Sequence, residues 1–299
     1  MISSLVLGIE TSCDDSAVAL VDRDGRVVGS IFANQDSSHA PFGGVVPELA
    51  SRQHTEVLLP LLERLFRETS TTWEIVSGIA VTSRPGLIGS LLTGVVTAKA
   101  LSMAKQKPLI GVNHIEGHLL AASLSDEKYS PPAGFGFPYI GLAVSGGHTH
   151  LFLVHEVGRY ELLGQTRDDA AGEAFDKFAK LVGLGFPGGA RVDAEAKSGN
   201  PLAFRFPRGL IKEDDLDFSF SGLKSAVQRE IVSLGEVEVQ KRRADLSASL
   251  QAAIVDVLIS KLDKACFEYS DIRSVTITGG VSANSSLRTT AEAWALKRG

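Results

Sequence analysis

The chain has 299 residues, 44% hydrophobic and 22% charged, with 30 basic and 35 acidic side chains and a net charge of -5. That is enough for two ordinary domains with a large core. It argues against wholesale electrostatic wrapping of nucleic acid, and two cysteines, Cys13 and Cys266, are too few for a disulfide scaffold.

No apolar run reaches the roughly 18 residues that span a bilayer, so no membrane is expected. The apolar run at 5–9 has no basic lead and meets Glu10, unlike a signal peptide, and a reducing cytoplasm is the expected location.

Residues 4–10 read as a buried strand. Strands at 16–21 and 26–33 flank Asp22-Arg23-Asp24-Gly25, a hairpin signal. A helical period runs over 46–66, then strand at 78–82, helix at 89–105, strand at 108–112 and a helix from His114 to about Leu124. Residues 126–136, rich in Pro, Gly and Ser, form the predicted boundary between domains at 1–125 and 126–299.

The order then recurs. Strands at 139–144, 150–155 and 160–165 form a second meander. Helices follow at 173–182, 221–232 and 243–268, then a strand at 274–278 and a helix at 284–297. Three antiparallel strands followed by alternating helix and strand, used twice, predict an α/β fold duplicated in architecture, with no residue-by-residue repeat.

Four glycine clusters punctuate this order. Gly8-Ile9-Glu10-Thr11-Ser12-Cys13-Asp14-Asp15 closes the first strand, and Val144-Ser145-Gly146-Gly147-His148-Thr149-His150 holds the matching place in the second half. Successive glycine N–H groups can form an anion nest. Gly279-Gly280-Val281-Ser282-Ala283-Asn284 is predicted to open a helix whose N-terminus favours a phosphate. Phe186-Pro187-Gly188-Gly189 precedes a helix carrying Asp193. Each cluster alone reads as a tight turn; at corresponding strand ends they predict a nucleotide cleft between two domains. Asp168, Asp169, Glu173 and Asp176 gather around Ala170-Ala171-Gly172, where helix capping is the plain alternative for the first two. Neither a P-loop nor a GxGxxG fingerprint is present.

Asn113-His114-Ile115-Glu116-Gly117-His118 places two imidazoles four residues apart, on one face of a helix. That is a pair of metal ligands, or two histidines with no ligand at all. The zinc-protease motif differs, because there a Glu directly follows the first His.

Taken together and in order, these segments resemble the tRNA N6-adenosine threonylcarbamoyltransferase (TsaD) family, once described as glycoproteases. The resemblance rests on GIETSCDD at 8–15, NQ-x3-H and GGVVPE-x-ASR-x-H at 34–54, NHIEGH at 113–118 and VSGGHT at 144–149. It continues through DDAAGEAFDK at 168–177, FPGG at 186–189, FSFSGLK at 218–224 and GGVSAN at 279–284. It implies two actin-like ATPase (ribonuclease H-like) domains with a nucleotide cleft between them.

It implies an acyltransferase that moves threonylcarbamoyl from threonylcarbamoyl-adenylate to N6 of the adenosine just after the anticodon, in tRNAs reading A-starting codons. His114 and His118 would bind one divalent metal, iron or zinc, acting as a Lewis acid. Ala143, Val144, Ser145, Gly146 and Gly147 would hold the phosphate or carbamoyl end, with N–H groups serving as an oxyanion hole. Asp176, Gly189, Asp193 and Asn284 would bind the adenosine part, and Glu10 would act near the reacting centre as a base or an orienting group.

The implied partners are tRNA, an inactive paralogue of the same fold and a small P-loop ATPase. A homodimer through the helices at 46–66 and 89–105 is also expected, with Gly94, Ala98 and Ala100 allowing close approach. The resemblance further implies an Asp-bearing segment after the GGVSAN helix that completes the metal site. This sequence ends at Gly299, so a two-histidine site is expected.

Departing from the family's pattern, Gly209 stands where a second proline is expected. An actin-like kinase or ATPase would share the phosphate loops but leaves the histidine pair unexplained. A metalloprotease lacks its adjacent Glu, and a non-enzymatic paralogue would have lost the His and Gly motifs. For RNA, the candidates are Phe204-Arg205-Phe206-Pro207-Arg208 and Lys241-Arg242-Arg243, the latter equally a solvated helix face.

Overall fold

The structure is a computed structural model describing residues 4–298. The chain divides into two compact units, Met1–Phe135 and Gly136–Gly299. Residues 126–135 go with the first unit, anchored where Val27 N–H donates to Ser125 O at 2.7 Å and the Tyr129 hydroxyl donates to Ala122 O at 3.0 Å.

The first unit opens with β1 (Leu5–Glu10), β2 (Ser16–Asp22) and β3 (Val27–Ala33), an antiparallel meander. Asp22 makes its hairpin turn by accepting from the N–H groups of Asp24 and Arg26, both at 2.9 Å. Next come α1 (Asp36–His39), α2 (Pro47–Glu68), β4 (Val76–Arg84), α3 (Ile88–Lys105), β5 (Leu109–Asn113) and α4 (His114–Leu120). The sheet order is β3-β2-β1-β4-β5, with β4 parallel to β1 and β5 parallel to β4. Alternate residues Leu5, Leu7 and Ile9 of β1 pack into one core with Leu58, Leu61, Leu62 and Leu65 of α2 and Ala98 of α3.

The second unit repeats this plan with β6 (Tyr139–Val144), β7 (Thr149–Glu156), β8 (Arg159–Gln165), α5 (Ala171–Leu181), α6 (Gly188–Ala196), α7 (Ser221–Lys241), α8 (Arg243–Glu268), β9 (Val275–Thr278) and α9 (Ser285–Arg298). Its sheet order, β8-β7-β6-β9, matches the first four strands of the other sheet, including the parallel β6–β9 pair. All six residues of β6 are buried, as its unbroken apolar run demands of a strand covered on both faces.

Some elements differ from the sequence expectations. The histidine helix stops at Leu120 and continues as a 3₁₀ turn, Ala121–Ser123. α7 runs on past Val232 to Lys241, broken at Gly235, whose φ of 74° no helix contains. The glycine cluster at 279–284 does not open a helix directly: Gly280–Ala283 form a 3₁₀ turn, Asn284 is extended, and α9 starts at Ser285.

The small residues of α3 also have a different use. Gly94 and Ala98 are buried, and a β-carbon on Gly94 would lie 2.3 Å from Thr11 Oγ1, so they let α3 approach its own unit. The outward face instead carries Ile88, Leu92, Val96 and Met103, all exposed.

Candidate functional site

In the first unit, the carboxyl ends of three neighbouring parallel strands bring the chemistry together, as α/β sheets commonly do. Glu10 ends β1, Thr82 lies near the end of β4, and Asn113 ends β5. Asn113 caps α4, its side-chain oxygen accepting from Ile115 N–H at 2.8 Å and Glu116 N–H at 3.4 Å. The cap starts the helix at His114 with no linker, which puts that imidazole beside β1.

Glu10 is held on both oxygens. Oε1 accepts from Ser12 N–H; Oε2 accepts from the Thr82 hydroxyl at 2.6 Å and contacts His114 Nδ1 at 3.1 Å. Burial opposes the Glu10 charge, but hydrogen bonds from His114, Ser12 and Thr82 outweigh it and hold the carboxyl at a pKa of about 2. An ionised carboxylate only accepts, so His114 Nδ1 carries the proton and donates. Its Nε2 faces His118 Nε2 at 3.1 Å. Burial, reinforced by the nearby His114, lowers His118 to about 4, so it is neutral at pH 7.

Two imidazole nitrogens converging at this distance match one edge of a metal tetrahedron, where ligand nitrogens bonded at about 2.05 Å stand about 3.3 Å apart. The pair therefore fits two coordination positions. Among the described residues no group of three or more His, Cys, Asp or Glu side chains is placed to hold a metal ion.

In the second unit a cavity of about 340 Å³ is lined by Gly146, Gly172, Phe175, Asp176, Pro187, Gly189, Ala190, Asp193, Gly280, Val281, Ala283 and Asn284. Close backbone packing shapes it. A β-carbon on Gly172 would lie 2.5 Å from Ser145 O, and one on Gly188 2.6 Å from Asp176 Cα. The polar side chains at its edge also join segments: Asp176 accepts from Gly188 N–H at 2.8 Å, and Asp193 from Ser285 N–H at 3.1 Å and the Ser285 hydroxyl at 2.7 Å. Asn284 donates to Gln251 Oε1 at 2.7 Å and accepts from Leu287 N–H at 3.0 Å. The N-terminus of α9 is thus capped from within the chain, which weakens the expectation of a phosphate there.

The structure thus brings Glu10, His114 and His118 into one cluster, and Gly146, Asp176, Gly189, Asp193 and Asn284 around one cavity. Ala143 and Val144 lie within β6, paired with β7, their side chains buried. Ser145 accepts from Gly172 N–H and, through its hydroxyl, from His148 N–H, bracing the turn that exposes Gly146 and Gly147.

Sequence reasoning did not single out Ser12 or Thr82. Thr82 is 72 residues from Glu10 and reaches it only through the β1–β4 register. Gly172 and Phe175 were legible in principle, since Gly172 stands one helical turn before Asp176.

Most of the RNA candidates have partners within the second unit. Phe204 and Phe206 are buried and stacked, and the Arg242 guanidinium lies 4.1 Å over the Phe204 ring. Arg208 pairs with Asp256, Arg243 with Glu195 and Lys241 with Glu238. Phe204 and Phe206 belong to the second unit's core, while Arg205 and Lys241 are exposed. No described helix is long and apolar enough to cross a membrane.

Residues 26–299 match the family described as TsaD: tRNA N6-adenosine threonylcarbamoyltransferase. A protein of that name from Bdellovibrio bacteriovorus is 59% identical over 294 residues, covering 98% of this chain and 85% of its own. Another from Anaeromyxobacter dehalogenans is 51% identical over 288 residues, covering 96% and 84%. Among solved structures, the (R)-2-hydroxyglutaryl-CoA dehydratase component A of Acidaminococcus fermentans aligns with a TM-score of 0.55 at 11% identity, covering 98% of this chain and 89% of that one, a likeness of fold alone.

Proposed function

The chain belongs to the tRNA N6-adenosine threonylcarbamoyltransferase family, acyltransferases with the two-domain actin-like fold, and on that premise we propose how its residues serve the reaction. The substrate pair is threonylcarbamoyl-adenylate and the adenosine just after the anticodon of tRNAs reading A-starting codons. The alignment of Glu10, His114 and His118 carries the proposal, because the carboxylate takes Nδ1 of His114 and turns its Nε2 toward His118 Nε2.

His114 Nε2 and His118 Nε2 hold one divalent ion, iron or zinc, which when bound supplies Lewis-acid polarisation of the acyl group. Glu10 is an orienting group for His114, in the manner of the carboxylate partners that fix metal-bound histidines. A carboxyl held at about 2 is too weak a base at pH 7 to collect the proton of the adenosine amine. The cavity beside Asp176, Gly189, Asp193 and Asn284 takes the adenosine part, and the exposed Gly146 and Gly147 donate N–H groups to the phosphate or carbamoyl end. As the N6–C bond forms, the C–O bond to the phosphate breaks: AMP departs as an anion, needs no acid at neutral pH, and the amine proton passes to water.

The protein acts in the cytoplasm with an inactive paralogue of the same fold and a small P-loop ATPase. The exposed face of α3 receives that paralogue or a second copy of this chain. The test is to incubate the protein with labelled threonylcarbamoyl-adenylate, the two partner proteins and unmodified tRNA. Label is expected on tRNA only with all components. Label remaining entirely on the adenylate would overturn the proposal.

A further inference from the structure

The β1–β2 turn, Thr11 to Asp15, is tied from several sides, and one of its ties plays no part in the chemistry above. His54 of α2 is completely buried. Its Nε2 lies 2.9 Å from Cys13 O, and its Nδ1 lies 2.6 Å from Ser16 Oγ and 3.4 Å from Gln35 Nε2. Gln35 Oε1 meets His39 Nε2 at 3.2 Å, and Val46 N–H donates to His39 Nδ1 at 3.3 Å. Gln35, His39 and Ser16 are buried too.

The proton positions resolve in one direction. A backbone N–H can only donate, so His39 Nδ1 accepts and its Nε2–H donates to Gln35 Oε1. The Gln35 amide then donates to His54 Nδ1, as does the Ser16 hydroxyl, and His54 Nε2–H donates to the Cys13 carbonyl, which can only accept. Gln35 Nε2 also donates to Ala50 O at 3.4 Å; these bonds are met with His54 neutral in this tautomer, and its burial favours the neutral form. His54 thus bridges the Cys13 carbonyl in the turn and the hydroxyl of Ser16, which opens β2. Within that turn, Ser12 N–H binds Glu10 and Ser12 Oγ lies 3.1 Å from His114 Nδ1. The turn is also held by α3 and the residue before it: Thr11 Oγ1 donates to Ser90 O at 2.9 Å and Leu87 N–H donates to Ser12 O at 2.8 Å.

We infer that His54 is a positioning residue: through the buried chain His39–Gln35–His54 it fixes the Thr11–Asp15 turn so that Ser12 holds Glu10 and His114 in register. This role rests on the Glu10–His114 reading given above. Replacing His54 with leucine removes both the donor and the acceptor while still filling the buried position with a branched side chain. Glutamine keeps one of each.

The test uses the full chain. In H54L, deuterium uptake at residues 11–15 should accelerate about tenfold, while uptake in α2 beyond the substitution stays within about twofold of the parent. With the partner proteins, kcat of threonylcarbamoyl transfer should fall about tenfold or more at nearly constant KM for tRNA, because a small displacement at the reacting groups slows the chemistry without loosening binding. H54Q should recover most of both. S16A, which removes only the hydroxyl on Nδ1 and serves if H54L does not fold, should raise exchange in the same turn about threefold.

A folded H54L or S16A with unchanged exchange in the turn, or exchange rising uniformly along α2, would reduce His54 to a core residue and overturn the inference. The exchange measurement needs no substrate. A parent protein that labels no tRNA while H54L loosens the turn would sink the functional reading and leave the strap standing.

Discussion

The two clusters described here are built on different principles. In the first unit, polar side chains converge: Glu10 takes three donors, His114 is oriented by that carboxylate, and two imidazole nitrogens are left facing each other. In the second unit the polar side chains join chain segments, and the cavity between them is shaped by glycine, alanine, proline and Phe175. The first arrangement sets protonation states, as a reacting or metal-binding centre requires. The second sets the shape of a cavity of about 340 Å³. The teaching is that carboxylates beside glycines are not equivalent: Glu10 tunes a neighbour's chemistry, whereas Asp176 and Asp193 tie backbone together.

Substitutions can break this contrast. The largest effect is expected at the paired histidines: H114A or H118A should cut transfer about 100-fold or more and abolish stoichiometric metal, read by elemental analysis alongside tRNA labelling. Retention of both would place the metal, and the chemistry, elsewhere. E10A should lower transfer by about 10–100-fold, with E10Q between it and the parent, because glutamine accepts from His114 Nδ1 but without charge.

In the second unit D176A should weaken binding of a threonylcarbamoyl-adenylate analogue by about 1–3 kcal/mol in calorimetry. Here D176N should resemble the parent, since an amide oxygen still accepts from Gly188 N–H. Equal losses in both would assign Asp176 an electrostatic role like that of Glu10.

A smaller effect separates the units by pH. His118, neutral in the fold with its pKa depressed from 6.5 to about 4, resists protonation that the unfolded chain accepts. Its contribution is intact above pH 6.5 and is lost as pH falls toward 4. Glu10, depressed from 4.5 to about 2, contributes above pH 4.5 and is lost between there and pH 2. Urea unfolding of the metal-free protein at pH 7, 5.5 and 4.5 should show the His118 slope, and H118F should flatten it. The smallest effect on either site is expected from I88R on the exposed face of α3. Light scattering should show lost association with the paralogue or a second copy, with adenylate affinity unchanged.

Most of the architecture was legible because each strand carries its own period and turn chemistry: Asp22 to Gly25 announce a hairpin, and the apolar run of β6 announces a strand buried on both faces. The glycine at 235 was equally visible, yet what it interrupts depends on packing further along the chain. The histidine pair was legible from spacing. What could not be read was how distant segments meet. Thr82 reaches Glu10 by sheet register, and Gly94 and Ala98 look like an interface stripe until the approach of Thr11 is seen. The basic and aromatic residues at 204–208 and 241–243 have the composition of an RNA surface. Arg208 and Arg243 are paired by Asp256 and Glu195, which no local pattern connects to them, whereas Lys241 pairs with Glu238 one turn back on its own helix.

Asp168 has a consequence for how such a chain changes over time. Its carboxylate accepts from Phe220 N–H at 2.8 Å, Ser221 N–H at 3.1 Å and the hydroxyls of Ser219 and Ser221 at 2.6 and 2.7 Å. Just before it, Thr166 and Phe218 form a parallel bridge. The stretch that carries α5 and α6 therefore leaves the sheet and returns to it at one point, 52 residues apart in sequence. Its ends are fixed to each other independently of what lies between them. Lengthening or shortening such an excursion adds only slowly growing closure entropy. The part of the cavity wall that this excursion supplies, from Gly172 to Asp193, can be remodelled while β8 and the start of α7 keep their places.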